Sequence, residues 1–288
     1  MPELPEVEVT RQRIEPLLVG RRIRFARTTR ASHLFLTPPA RLRRGLAGRT
    51  VEELGRRGKY LLARLDGGGR LVLHLGMTGQ LFSSAAVSER LLPAAARVRE
   101  ARRPFRPDVH THLRLGFDDG GPEVFFRDVR RFGKVLLLER GQSHPRLDRL
   151  GADALEADGE VLFRATRKRK AAIKSVLLNQ SLIAGVGNIY ADEVLFLAGL
   201  RPGRRAGLLT RRECRCLAES IRQVMRRSIE AGGSTISDYV APDGSDGSYQ
   251  LERKVYARDG EPCIACGSGV RRTVVAQRGT HYCPVCQR

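Results

Sequence analysis

The spacing of apolar and polar residues changes character once along the chain, near Gly151. The opening stretch from Pro5 to Leu18 sets Val7, Ile14, Leu17 and Leu18 on one side of a short amphipathic helix. Strand-like runs follow at 22–28, 60–65, 71–75, 112–117, 123–128 and 134–138. Glycine-rich turns at 66–69 and 118–121 separate several of them. This pattern predicts antiparallel sheets packed as a sandwich. Between them, Ser83 to Pro107 is rich in Ala, Arg and Pro with little periodicity, and reads as a long surface loop. Past Gly151 the period is helical, with the clearest helices at 171–178, 188–197 and 211–230. The last opens with Thr210 and Glu213 at capping-box spacing and closes at Gly232 and Gly233. Residues 234–249 are mostly polar and turn-forming, which predicts a mobile loop, and a cysteine-bearing module ends the chain. The fold class is therefore α+β, without internal repeats.

Charge narrows the choice of partner. The chain has 288 residues, with 52 Lys plus Arg against 31 Asp plus Glu, for a formal net charge of +21. A surplus of that size surrounds the protein with positive potential and favours a polyanion. Nucleic acid leads, ahead of a ribosomal-type structural role or an acidic membrane surface. Glu3, Glu6 and Glu8 occupy the place where a secretory signal needs positive charge followed by an apolar stretch. No apolar run approaches the roughly eighteen residues of a membrane span. The expected location is the cytoplasm, where six cysteines are read for metal rather than for disulfides.

Four of those cysteines form two close pairs, Cys263 with Cys266 and Cys283 with Cys286. Four thiolates in this arrangement fill a tetrahedral zinc sphere, so the metal would be structural rather than catalytic. The intervening GSGVRRTVVAQRGTHY alternates like a β-hairpin carrying Arg271, Arg272 and Arg278. Cys214 and Cys216, two apart on a helix, read as packing residues. A second feature is the Gly185-Val-Gly187 turn before Asn188, which can bring backbone N–H groups to an oxyanion. On spacing alone Asn188 reads as an N-cap. The run of cations from Arg164 to Lys170, and then Lys174, suits a DNA backbone, with contacts that position without reading sequence.

The start of the chain carries the sharpest chemical hint. Removal of Met1 would leave Pro2 with a free secondary amine. An α-amino group is neutral in roughly a tenth of molecules at pH 7, against fewer than about one in a thousand for lysine. That gives a terminal proline an advantage of about two orders of magnitude as a nucleophile toward a sugar or carbonyl carbon. Glu3 beside it can carry protons. A plain helix start explains Pro5, Glu6 and Glu8, but not Pro2 and Glu3.

PELPEVE at 2–8 resembles the signature of bacterial formamidopyrimidine-DNA glycosylases, base-excision enzymes that remove oxidised purines. RRGKYL at 56–61, HLGMTG at 74–79, RRFGK at 130–134, GVGNIYADE at 185–193 and QRGTHYC at 277–283 extend the likeness nearly end to end. The resemblance implies a catalytic β-sandwich over 1–150 and a helix–two-turn–helix domain over 151–233. It further implies a lesion-capping loop over 234–249 and a zinc finger over 250–288, with DNA between the two larger parts. It implies that Pro2 attacks the sugar C1′ and forms a Schiff base, with Glu3 as proton carrier. Lys59, which on its own would read as an exposed strand lysine, would assist base release and strand elimination, and Arg278 would grip phosphate. Met77, Arg130 and Phe132 would form the wedge that fills the space of an extruded base. His74, His110, Arg169, Lys174 and Asn188 would contact the DNA backbone. The implied cofactor is one structural zinc held by Cys263, Cys266, Cys283 and Cys286. The implied partner is double-stranded DNA with oxidised bases or abasic sites, bound by a monomer. The chain departs from the pattern at Val129, where Asp-Pro is usual before RRFG. Two other readings remain: an endonuclease VIII-like glycosylase for oxidised pyrimidines, and a non-catalytic zinc-finger DNA-binding protein.

Overall fold

The structure, a computed structural model, describes residues 2–30, 33–86, 105–234 and 241–288. It divides into two compact units, one of residues 1–144 with 231–248 and the other of 145–230 with 249–288.

In the first unit, α1 (Leu4–Ile14) starts with Pro5 in its first turn, where a missing N–H costs nothing. It ends four residues short of the expected Leu18. Pro16 cannot donate a helical hydrogen bond, and the chain tightens into a 3-10 turn over Glu15–Leu17. Eight strands follow: β1 (Ile23–Thr28), β2 (Val51–Arg57), β3 (Tyr60–Leu65), β4 (Arg70–His74), β5 (Gly79–Ser83), β6 (Thr111–Phe117), β7 (Val124–Asp128) and β8 (Lys134–Leu138). They form two four-stranded sheets, ordered β1-β6-β7-β5 and β2-β3-β4-β8, and every pairing in them is antiparallel. A helix, α2 (Pro39–Leu46), lies between β1 and β2 in sequence.

One apolar core joins the sheets. Ile23, Leu81, Leu115 and Phe126 enter it from the first sheet, and Leu54, Leu61, Leu73 and Val135 from the second. Val7 and Ile14 of α1, with Leu42 and Leu46 of α2, complete the same cluster. This is the sandwich the alternation predicted. Of the stretch from Ser83 to Pro107, residues 87–104 lie outside the described residues.

The second unit is mainly helical. Its helices are α3 (Pro145–Asp148), α4 (Gly159–Thr166), α5 (Ile173–Leu178), α6 (Asn188–Leu197) and α7 (Arg211–Glu230). The expected capping box opens α7: Thr210 accepts the Glu213 N–H at 3.2 Å, and the Glu213 carboxylate accepts the Thr210 N–H at 2.8 Å. Cys214 packs in the α7 core as expected, whereas Cys216 faces solvent, because two residues on a helix are about 200° apart. A short parallel pair, β9 (Ala152–Asp153) with β10 (Ile183–Ala184), precedes the C-terminal hairpin of β11 (Arg271–Val275) and β12 (Arg278–Tyr282). Of the expected capping segment, residues 235–240, Tyr239 among them, lie outside the described residues. Among the described residues no helix is long and apolar enough to cross a membrane.

The loop after β7 is packed tightly enough to test. A Cβ on Gly133 would sit 2.8 Å from the Phe126 ring and 2.9 Å from both the Asp128 carboxylate and the His74 carbonyl. Gly133→Ala is expected to destabilise the protein by about 1–3 kcal/mol, read as a lowered urea midpoint. An unchanged midpoint would show that the loop yields freely.

Candidate active site and metal centre

The first cluster gathers at the start of α1. Pro2 and Glu3 are buried, and Glu3 holds the extended N-cap conformation. The carboxylate of Glu6, also buried, accepts the Glu3 N–H at 2.8 Å with one oxygen and the Ser234 N–H at 2.8 Å with the other. Gly232 and Gly233 approach at φ +75 and +82, a left-handed backbone open to glycine, and a Cβ on Gly233 would stand 3.2 Å from that carboxylate. Glu6 thus fixes the chain start, a role its type alone did not reveal. Its spacing from Glu3 is that of a capping box, and that was the available signal.

Lys59 lies in the β2–β3 turn and is buried, not exposed as a strand lysine would be. Arg56 clamps this turn to α1: it pairs with Glu8 at 2.9 Å and donates to the Gly58 carbonyl at 3.0 Å. The clamp ties the turn that carries Lys59 to the helix that Glu3 caps.

A second cluster stands at one end of the β1-β6-β7-β5 sheet, and Asp128 organises it. Fully buried, Asp128 accepts the Thr78 hydroxyl at 2.6 Å and the Gly133 N–H at 2.7 Å. Thr78 accepts the Arg130 N–H at 3.0 Å, so the turn holding Met77 and the loop holding Arg130 and Phe132 are built on one carboxylate. Met77 is 40% and Phe132 49% exposed, and the Arg130 guanidinium lies 4.8 Å from the Phe132 ring centre. These side chains are presented rather than packed, as a wedge requires. His74 accepts the Gly76 N–H at 3.0 Å and its ring lies 4.6 Å from that of Tyr60. His110 is half-buried, and its carbonyl accepts the Asp128 N–H at 2.9 Å. Nearby, burial holds the His112 imidazole below its ordinary value, which keeps it neutral between Thr29 and the Asp128 carbonyl.

The second unit holds the remaining predicted residues. Arg169 is exposed in the turn after α4, and its Nε donates to the Ala165 carbonyl at 2.7 Å. Asn188 is the first residue of α6, with Gly187 in the N-cap position, and makes no cap. Its amide instead donates to the Gly279 carbonyl at 3.1 Å. Arg278 is exposed at the start of β12, beside the Ala276-Gln277 turn.

Lys174 requires a correction. It was expected at the DNA backbone, but its side chain is 0% exposed and its ammonium pairs with Asp192 at 2.6 Å. It also donates to the Thr280 hydroxyl at 2.8 Å and the Gly279 carbonyl at 3.1 Å. A charge spent on three internal partners does not reach a phosphate; it holds the hairpin that carries Arg278. Asp192 completes the tie by accepting the His281 N–H at 2.9 Å.

Glu193, the next residue, accepts the N–H groups of Lys254, Val255 and Tyr256 at 2.8, 3.0 and 2.8 Å. Burial pushes its carboxyl above the usual range, against the pull of those three donors. It anchors the approach to the cysteine module.

The four expected sulfurs of Cys263, Cys266, Cys283 and Cys286 lie within 4.8 Å of one another. Cys263 and Cys286 are 3.9 Å apart and Cys266 and Cys283 3.5 Å, near the roughly 3.8 Å between sulfurs around a tetrahedral zinc. The set fits a metal ion, and its softness suits zinc. Gln287 braces the second pair, accepting the Cys283 N–H at 2.8 Å and donating to the Leu200 carbonyl at 2.9 Å.

Comparison with known proteins adds the lineage. Three family models match: the formamidopyrimidine-DNA glycosylase N-terminal domain over residues 1–135, its H2TH domain over 150–240, and the zinc finger found in FPG and IleRS over 260–288. A Thioalkalivibrio sulfidiphilus protein named formamidopyrimidine-DNA glycosylase is 45% identical, with all of both chains covered. The crystal structure of MutM (Fpg) from Thermus thermophilus has a TM-score of 0.83 at 40% identity, covering 99% of this chain and 98% of that one. Lactococcus lactis Fpg bound to DNA containing an abasic site has a TM-score of 0.85 at 35% identity over the full length of both chains. A glycine-to-proline mutant of that protein, bound to DNA containing Fapy-dG, aligns equally well.

Lys174→Ala strands a buried carboxylate and should destabilise the second unit by about 3–5 kcal/mol, lowering its melting temperature. The slope of log affinity against log salt for duplex DNA should stay at the parent value, because a phosphate contact is not lost. A fall of about one in that slope would restore Lys174 to the DNA backbone. Cys283→Ser should release metal, measured by a chromogenic chelator, and weaken DNA binding while the sandwich still unfolds cooperatively. Undiminished DNA binding would exclude the finger from the interface.

Proposed function

The chain belongs to the formamidopyrimidine-DNA glycosylase family, and from that premise we propose that it excises oxidised purines such as 8-oxoguanine and formamidopyrimidines, and then cuts the strand as an abasic-site lyase. The observation that supports this reading is the buried start of α1, where Pro2 and Glu3 are buried, Glu6 fixes the Glu3 backbone, and the Arg56–Glu8 clamp ties the turn of the buried Lys59 to the same helix. A DNA-binding module without chemistry has no use for an immobilised terminal amine.

The Pro2 nitrogen, freed by removal of Met1, attacks C1′ of the damaged nucleotide. A C–N bond forms as the glycosidic bond breaks, and Glu3 moves the accompanying protons. The leaving base takes the bonding electrons, with Lys59 assisting its departure. Loss of the sugar ring oxygen from C1′ gives the Schiff base. Its positive nitrogen acidifies the C2′ proton, so β-elimination expels the 3′ phosphate and δ-elimination the 5′ phosphate. Lys59 assists the first of these, and Arg278 grips the phosphate. Met77, Phe132 and Arg130 occupy the space of the extruded base, the apolar pair filling the stack and the arginine facing the orphaned partner. Arg169, Asn188, His74 and His110 steady the backbone. One zinc, held by the four cysteines, would keep the hairpin folded and take no part in the chemistry. The preference for purines is supported by PELPEVE together with RRFG, which the pyrimidine branch usually lacks.

Borohydride reduction on duplex DNA containing 8-oxoguanine is expected to trap a covalent adduct mapping to Pro2. Pro2→Gly, which keeps a terminal α-amine but loses the secondary amine and the ring that orients it, should lower the trapped fraction measurably. An adduct formed only with oxidised pyrimidines would move the protein to the endonuclease VIII-like branch. Equal trapping by Pro2→Gly, or a fully active protein with Met1 retained, would remove Pro2 from the mechanism.

A further inference from the structure

Exposed apolar side chains are ordinary when scattered and informative when gathered. The described part of the first unit leaves five large hydrophobic side chains exposed: Leu36, Met77, Val109, Val129 and Phe132. Four of these stand on the three connections at one end of the β1-β6-β7-β5 sheet, and Leu36 alone lies elsewhere. The Asp128 N–H donates to the His110 carbonyl at 2.9 Å, which sets the turn of Val109 against the loop of Val129. Thr78 accepts the Arg130 N–H, which sets that loop against the turn of Met77.

Neither valine belongs to the wedge described above, and neither sits on a loose segment. Asp108 braces the Val109 turn, taking the Arg127 guanidinium at 2.9 Å, the Thr111 hydroxyl at 3.0 Å and the His110 N–H at 3.0 Å. Yet Val109 is 79% and Val129 44% exposed. Arg106, Arg130 and Arg131 are exposed on the same segments. A braced apolar ridge edged by guanidinium groups fits a ligand that is anionic outside and apolar within, and a duplex opened at a kink is such a ligand.

We infer that Val109 and Val129 extend the wedge, packing on the base and deoxyribose faces that the kinked duplex uncovers next to the lesion. This rests on the proposed function and deepens it. The wedge becomes a ridge of four apolar side chains, and Val129, standing where the family pattern usually has proline, is this chain's own addition. The two valines act by stabilising the kinked state, not by adding charge.

The test is a duplex carrying a tetrahydrofuran abasic-site analogue with 2-aminopurine in the step beside it, whose fluorescence rises when the base unstacks. In the Val109→Thr, Val129→Thr double variant, affinity for this duplex should fall roughly tenfold, equivalent to about 1.4 kcal/mol. The fluorescence rise should shrink, while the salt slope keeps the parent value because no phosphate contact is removed. Threonine preserves the β-branched shape, and Leu36→Thr, made as a control, should match the parent. A double variant equal to the parent in affinity and fluorescence overturns the extension alone. So does an equal loss on undamaged duplex with no change in fluorescence. A parent protein that neither prefers the abasic-site duplex nor unstacks the probe overturns the enzyme reading as well.

Discussion

The proposed nucleophile lies at the chain start, where termini are mobile, and the Glu6 carboxylate supplies the restraint there. Free ends are poorly ordered unless something ties them down. Burying a carboxylate is costly unless donors meet it, and Glu6 is met by the N–H groups of Glu3 and Ser234, each at 2.8 Å. The same bonds that make its burial tolerable fix the first turn of α1 against the 232–234 segment. Orientation of this kind lets an amine react as if at very high local concentration. The proposed chemistry of Pro2, Glu3 and Lys59 depends on that restraint before it depends on any acidity.

The arrangement recurs. Asp128 shapes the end of the sandwich that presents Met77, Arg130 and Phe132, Asp192 holds the hairpin through Lys174 and His281, and Glu193 gathers three consecutive N–H groups ahead of the cysteine module. A chain with a net charge of +21 keeps these acids inside, where they organise backbone, and many of its cations outside, where a polyanion can meet them. Asp108 is an intermediate case. Its partial burial would raise its carboxyl, but Arg127 and the hydrogen bonds around it hold it below the usual range, which favours the ion pair that braces the Val109 turn.

Much of this was legible in sequence. The six expected strands and the three expected helices past Gly151 appear within two residues of their predicted ends, because their apolar spacing is strong and their turns contain glycine, whereas the opening helix stops four residues early at Pro16. What was missed had weak patterns. β2 reads VEELGRR and β5 GQLFS, too polar or too short to alternate visibly, although β5 is wholly buried. α2 buries only Leu42 and Leu46 among arginines, and α4 is announced mainly by Asp158, whose carboxylate caps it at the Val161 N–H. At the candidate site, motifs located residues but not the directions of their side chains. Lys174 belongs to a DNA-binding pattern and still points inward, and Glu6 lies in the opening signature without its restraining role showing. Residue type gives what a group can do, whereas burial and partners decide what it does.

The hairpin carrying Arg278 shows how those levels combine. Its two-residue turn, Ala276-Gln277, has φ +51 and +58, a conformation that glycine and asparagine adopt with little strain and these residues do not. Turn chemistry therefore opposes the hairpin. The opposing forces lie behind the turn: the paired register of β11 and β12, the four-sulfur cluster at its base, and two donors, Lys174 and Asn188, both on the Gly279 carbonyl. Gly279 is the neighbour of Arg278, so the bonds that outweigh the strained turn also fix the backbone from which the guanidinium extends. A buried lysine, an amide at a helix start and a metal-ligating cluster, separate in sequence, thus converge on the placement of one exposed arginine.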